Sequence, residues 1–166
     1  VNEKWQAIVQ ASPANLGLTG LGWGLGLHPA QQGYYKIEGE GKATARIFNL
    51  SSTFGYLPEA ITDMPYQPMS TNHYCVDVNG SPLYNQIVDE SIVGTEAVKG
   101  STEPMRRDIH NGGQTIYKKG IVLDHNPANL SGKGSCIFLH LWFGPDVPTA
   151  GCTSMQEPKM DALLAW

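Results

Sequence analysis

Charge is scarce in this chain. Only 16% of its 166 residues are Asp, Glu, Lys or Arg, and the formal balance is a mild −4. A nucleic-acid surface needs clustered Lys and Arg, and the densest basic cluster is the pair Arg106-Arg107, too small for a polyanion groove. Long apolar runs are missing as well. Residues 16–27 are apolar but broken by five glycines, and no segment reaches the roughly 20 apolar residues of a bilayer span. Metal-binding patterns are wanting: there is no Cys-x-x-Cys, no His-Glu-x-x-His and no regular His spacing. Asp124, His125, His140 and Cys152 are ligand types, yet nothing in their spacing calls for a metal, and no cofactor is expected. The glycine-rich stretch 18–27 lacks a phosphate-loop lysine and a following Rossmann helix pattern, which argues against nucleotide binding. No signal peptide is visible, and the chain opens at Val1 rather than methionine, so the expectation is a leader removed or lying outside this chain.

What is abundant is glycine (19) and proline (11), which long helices tolerate poorly. The length suits one domain, 1–166, able to bury about two thirds of its unfolded surface. No repeat, low-complexity tract or linker divides it. Strands are expected at 5–9, 45–50, 74–78, 120–123 and 135–141, each short, rich in β-branched or aromatic residues and bounded by Gly, Pro, Asn or Ser. Gly132-Lys133-Gly134 and Asn111-Gly112-Gly113 read as turns. A closing helix is marked by Pro158 in its first turn and by the i, i+3, i+4 stripe Met160, Leu163, Leu164. Short helical turns are expected at 84–93 and 101–108. The sum is a mainly-β sandwich with short helices and a C-terminal helix.

The chemistry is concentrated near the end. The apolar run Ile137-Phe138-Leu139 delivers His140, and a dozen residues later Cys152 sits in Pro148-Thr149-Ala150-Gly151-Cys152-Thr153. Cysteine attacks only as thiolate, and a neighbouring imidazole is the usual means of forming it. In this reading Cys152 is the nucleophile, and His140 is the general base that later protonates the leaving amine. The N–H groups of Gly151 and Cys152 are oxyanion-hole candidates. Thr149 is placed to hydrogen-bond within the turn. Arg106 and Arg107 are candidate readers of a substrate carboxylate, which arginine grips bidentately, against the alternative of a solvated pair beside Asp108. Trp142 and Phe143 are candidates for an apolar pocket wall, with core packing as the alternative. His125 and Asn126, ahead of the loop at Pro127, fit a structural role better than a cleft lining. The three cysteines leave one unpaired if any disulfide forms. With Cys152 free, Cys75 and Cys136 are either a pair, as an oxidising compartment would permit, or two small buried apolar residues.

Gly134-Ser135-x-Ile137-Phe138-Leu139-His140 followed by Thr149-x-Gly151-Cys152 resembles the catalytic segment of the YkuD-type L,D-transpeptidases, bacterial cell-wall enzymes with a cysteine nucleophile. Lys36-Ile37-Glu38-Gly39-Glu40-Gly41, Cys75-Val76-Asp77, Met105-Arg106-Arg107-Asp108 and Gly120-Ile121-Val122 with His125-Asn126 resemble further stretches of that family. So does Tyr84-Asn85-Gln86-Ile87-Val88-Asp89, and the likeness runs from roughly Trp23 to Trp166. The chain departs from the family pattern at Ala150, where many members carry histidine, and at Thr153-Ser154, where many carry arginine or asparagine. It departs again at Thr44-Ala45-Arg46, in place of a Pro-x-Gly turn. The resemblance implies a YkuD-like β-sandwich and acyl transfer on peptidoglycan stem peptides through a thioacyl-enzyme. Hydrolysis of the same bonds, as a carboxypeptidase or endopeptidase, is the alternative, and a non-catalytic wall-binding module is a second. It further implies the bacterial cell envelope, periplasmic or extracellular, as the location, and acylation of Cys152 by a carbapenem β-lactam.

Overall fold

The structure, a computed structural model, describes Ala7 and residues 11–166, so apart from Ala7 the strand expected at 5–9 lies outside the described residues. In chain order the elements are β1 (Leu21–Trp23), β2 (Ala43–Ala45), β3 (Leu50–Gly55), β4 (Tyr66–Pro68), β5 (His73–Cys75), β6 (Ile87–Asp89), α1 (Glu90–Val93), α2 (Thr95–Val98), β7 (Glu103–Pro104), α3 (Arg107–His110), β8 (Lys119–Leu123), β9 (Phe138–Leu141), β10 (Thr153–Met155) and α4 (Glu157–Leu164). Strand outweighs helix, in line with a mainly-β chain. The many glycines and prolines keep every element short, and only α4 exceeds one helical turn.

Three sheets form among the described residues. The largest has the order β10-β9-β8-β3-β4, with β8 antiparallel to both β9 and β3 and with β10 and β4 added in parallel at the ends. β6-β5-β7 is antiparallel, and β1-β2 is a parallel pair. Because β10 runs parallel to β9, the chain must cross back between them, and that crossover carries the Thr149–Cys152 turn to the end of β9. Beyond β10, Asn15 exchanges two backbone hydrogen bonds with Ser154 (2.8 and 3.0 Å), and residues 16–18 bracket Thr149 with two more of 2.9 Å.

Side chains alternate across the large sheet, so each face has its own core. One face gathers Ile121, Leu139, Leu141 and Met155 with Leu50, and α4 lays Met160 and Leu164 on them. Lys119 ties α4 down through Glu157 (2.8 Å) and Asp161 (2.6 Å). The other face carries Phe54, Phe138, Cys152 and, from the segment before β8, Tyr117, packed with Met105 and the Cys75–Cys136 disulfide. Gly120 is required here: a Cβ on it would lie 2.2 Å from the ring of Phe54, its cross-strand partner, so the missing side chain is the space the ring occupies.

The strand at 120–123, the second half of the strand at 135–141 and the closing helix stand where the sequence places them, as do the turns at 111–113 and 132–134. Three expectations are corrected. Residues 45–50 are not one strand; the chain leaves β2 at Ala45 and re-enters β3 at Leu50, the Arg46 guanidinium donating meanwhile to the Gly24 carbonyl (2.7 Å). Ile87–Asp89, expected to be helical, is β6, because Ile87 and Val88 pair with Cys75 and Tyr74 of β5. Glu103–Pro104, also expected to be helical, is β7 on the other side of β5. The strand at 74–78 is shorter than expected, ending at Cys75.

Candidate active site

β9 holds His140 rigidly, and the crossover returns Cys152 beside it. The register Thr153↔Leu139 and Ser154↔His140 sets Cys152 level with Phe138 and on the same sheet face as His140, two residue pairs away along the strands. Both are enclosed: Cys152 is 8% and His140 5% exposed. The sulfur accepts the Phe138 N–H (3.3 Å) and donates to the Cys136 carbonyl (3.4 Å). Cys136 can offer that carbonyl because its backbone is held in the left-handed region, φ 56°, by the disulfide to Cys75 and by an Asn85 amide oxygen on its N–H (2.9 Å). The disulfide closes a separation of 61 residues, worth about 4 kcal/mol of loop entropy.

His140 is oriented by the backbone. Its Nδ1 lies 2.7 Å from the Leu141 carbonyl, which assigns the ring proton to Nδ1 and leaves Nε2 as the acceptor. Tyr117 packs edge-on against the imidazole, with ring centroids 5.2 Å apart. Burial, reinforced by the Arg107 charge, pushes His140 down to about 4, against a raising effect of the Leu141 carbonyl. Burial and then the Glu103 charge push the Cys152 thiol up to about 12. The Phe138 N–H, Lys36 and the Tyr117 hydroxyl oppose that rise. At neutral pH the resting pair is therefore thiol and neutral imidazole.

The turn before the cysteine is built around Thr149, whose hydroxyl accepts the Gly151 N–H (3.2 Å) and donates to the Cys152 carbonyl (2.6 Å). The Gly151 N–H is thus engaged inside the turn, while among the described residues no acceptor takes the Cys152 N–H. Gly151 itself has φ 155°, and a Cβ there would meet Lys36 Nζ at 3.0 Å and the Lys42 carbonyl at 3.1 Å. Lys36 is buried against this turn, its ammonium held by Lys42 O (2.7 Å) and Glu40 (3.1 Å).

The remaining sequence candidates fall in different places. Arg106 is bidentate to Asp108 (2.8 and 2.7 Å) and lies over the Tyr56 ring. Arg107 pairs with Glu103 (2.9 Å) and lies over Tyr117. Both guanidiniums are engaged within the chain, so reading a substrate carboxylate would require giving up an internal partner. Trp142 is half-buried and Phe143 is 61% exposed. His125 and Asn126 build the loop ahead of β9. His125 accepts the Leu25 N–H (3.2 Å) and reaches Lys133 O (2.9 Å), while the Asn126 amide bonds Leu130 O (2.9 Å) and Gly134 O (3.2 Å). Burial lowers His125 to about 4. Among the described residues no group of three or more His, Cys, Asp or Glu could hold a metal. Nor is any helix there long and apolar enough to cross a membrane.

Clefts open on the surface of the described residues, and two bear on the site. One, of about 790 Å³, runs between Phe54, Ile61 and Leu164. The other, of about 500 Å³, is lined by Cys75, Cys136, Phe138 and Asp124 among others, so it includes the two residues whose backbone bonds the thiol. Cys152 lines neither. Sequence reading missed Tyr117, Glu103 and Lys36. The spacing Glu103-x-x-x-Arg107 hinted at an ion pair, but nothing in it pointed to Cys152.

No protein-family model, curated protein or solved structure matches the chain.

Proposed function

We propose that this chain is a cysteine-dependent acyltransferase of the YkuD-like kind, acting on peptidoglycan stem peptides in the bacterial envelope. The observation that carries the reading is the shared sheet face of Cys152 and His140. The sulfur is held there by a backbone N–H, and the imidazole is locked in the tautomer whose free nitrogen is a base. Cys152 Sγ attacks a stem-peptide carbonyl, its proton passing to His140 Nε2. The Cys152 N–H faces the developing oxyanion, and His140 returns the proton to the departing D-residue amine, leaving a thioester on Cys152. The amine of a second stem resolves that thioester in a transpeptidase, and water resolves it in a hydrolase. A carbapenem would form the analogous thioester with the same sulfur, its β-lactam C–N bond opening as the C–S bond forms.

The enclosure has an energetic meaning. Burial works against both charges, holding the thiol up and the imidazole down, so proton transfer from sulfur to imidazole is uphill in the enclosed pair. The resting sulfur is therefore the thiol, and bound substrate has to favour transfer of its proton to His140.

Incubation with a disaccharide-tetrapeptide, with and without a second stem, followed by mass spectrometry beside Cys152→Ala tests the reading. A cross-linked dimer that the variant does not form is the result expected. Loss of the terminal D-residue without a dimer would assign the hydrolytic reaction. Equal turnover by Cys152→Ala would overturn the scheme.

A further inference from the structure

The cleft of about 500 Å³ lies between two sheets: Ile87 of β6 lines it together with Ser52 of β3 and Val122 of β8. β6 is an edge strand, and its pairing leaves one residue open. The Val76 N–H donates to Gln86 O (2.9 Å) and the Glu90 N–H to Asn72 O (2.8 Å). The alternation of an antiparallel ladder then places the intervening hydrogen-bonded pair at Tyr74 and Val88. Ile87, opposite Cys75, is a non-hydrogen-bonded pair, so its N–H and C=O point away from β5. Among the described residues neither group has a partner. The Ile87 side chain meanwhile packs on the core that contains Cys75, Cys136 and Cys152, which fixes the strand while its edge stays free.

The lining narrows what such an edge would take. No Lys or Arg contributes to it, Asp124 is its one acidic residue, and burial keeps His125 neutral. The side chains of Ser52, Gln67 and Asp124 have no hydrogen-bond or ion-pair partner among the described residues. A carboxylate or phosphate finds no counter-charge here, whereas an ammonium does. Nor is there a stacking surface for a sugar, because Phe138 is 1% exposed, with Phe54 and Tyr117 packed edge-on against it.

We infer that this cleft binds an extended peptide carrying a free amine, one residue of which pairs with the Ile87 N–H and C=O while the ammonium lies against Asp124. This is strand addition to an open sheet edge, in which main-chain bonds supply affinity and side chains select the peptide. On the function proposed above, and resting on it, that peptide is the stem whose amine resolves the thioester. Cys136 and Phe138, whose backbone holds the Cys152 sulfur, line the same cleft.

The test is a titration of the ¹⁵N-labelled chain with acetyl-Ala-Lys-Ala-amide, followed by NMR at the Ile87 amide. That proton should move downfield and saturate. The same peptide with Glu in place of Lys should bind about tenfold more weakly. Methylating the backbone nitrogens of the Lys peptide, which removes its donors to Ile87 O, should weaken it about fivefold. Asp124→Asn should abolish the preference for Lys over Glu and keep the shift at Ile87. An Ile87 amide unmoved at about 10 mM peptide overturns the inference. So does a methylated peptide that binds as well as the parent, or a Glu peptide that binds as tightly as the Lys one. No acyl transfer enters these titrations, so a chain that binds the Lys peptide but forms no cross-linked dimer keeps this site and loses only the transpeptidase reading.

Discussion

The two faces of the five-stranded sheet are made from the same strands and solve different problems. Toward α4, Ile121, Leu139 and Leu141 meet Met160 and Leu164, with charge kept at the rim, where Lys118 and Lys119 reach Glu157 and Asp161. On the other face the same strands present Cys152 and His140, and beside them stand Tyr117, Glu103 and Arg107, all buried or half-buried and linked by hydrogen bonds. The first face contributes stability at any pH. The second trades part of that for groups whose protonation matters, because burial disfavours charge on both imidazole and thiol.

Acid separates the faces most strongly. Folded, His125 and His140 stay neutral down to about 4, whereas in the unfolded chain they take a proton near 6.5. The unfolded state then binds more protons in that interval, so stability falls as pH drops from 6.5 to 4, by about 3 kcal/mol for each histidine. Glu103 works the other way, since its raised value lets the folded chain hold a proton first. Urea unfolding at pH 7, 5.5 and 4 measures the net loss, and a flat profile would contradict the burial of both imidazoles. The apolar face should show the reverse behaviour. Met160→Ala, at a fully buried site, should cost roughly 2 to 5 kcal/mol, nearly the same at each of those pH values. A cost that varied with pH as steeply as the histidine effect would erase the distinction between the faces. Smallest is the rim: Lys118→Ala removes a half-exposed partner of Glu157 and should change stability by less than about 1 kcal/mol, an effect that salt diminishes further.

Much of the framework was legible because it is local. The apolar run into His140 and the spaced Met160, Leu163 and Leu164 each declare their element within a few residues. The Cys152 turn was legible for the same reason, since Thr149, Gly151 and Cys152 make their own hydrogen bonds. What failed was non-local. Ile87–Asp89 is a strand only because β5 lies beside it, and neither flank of 84–93 shows that. The interior of β3 lay beyond the strand expected at 45–50, because the short polar run Ser51-Ser52-Thr53 carries no strand signal of its own until β4 and β8 are placed on either side. Tyr117 and Glu103 were invisible for a harder reason: 14 residues part them, 35 part Tyr117 from Cys152, and only the folded sheet makes them neighbours.

The backbone exchange between Asn15 and Ser154 has a consequence for association. β10 is the end strand of the large sheet, and an end strand offers a row of unpaired N–H and C=O groups to any similar chain. Asn15 takes up the edge at Ser154 and residues 16–18 cover Thr149 just ahead of it, so the strand leading out of the Thr149–Cys152 turn is shielded from edge-to-edge growth. A chain lacking residues up to 18 would keep Cys152 and His140, yet it would leave the backbone groups of Ser154, two residues after Cys152, open to another chain. Self-assembly, rather than lost chemistry, is then the first fate such a fragment meets.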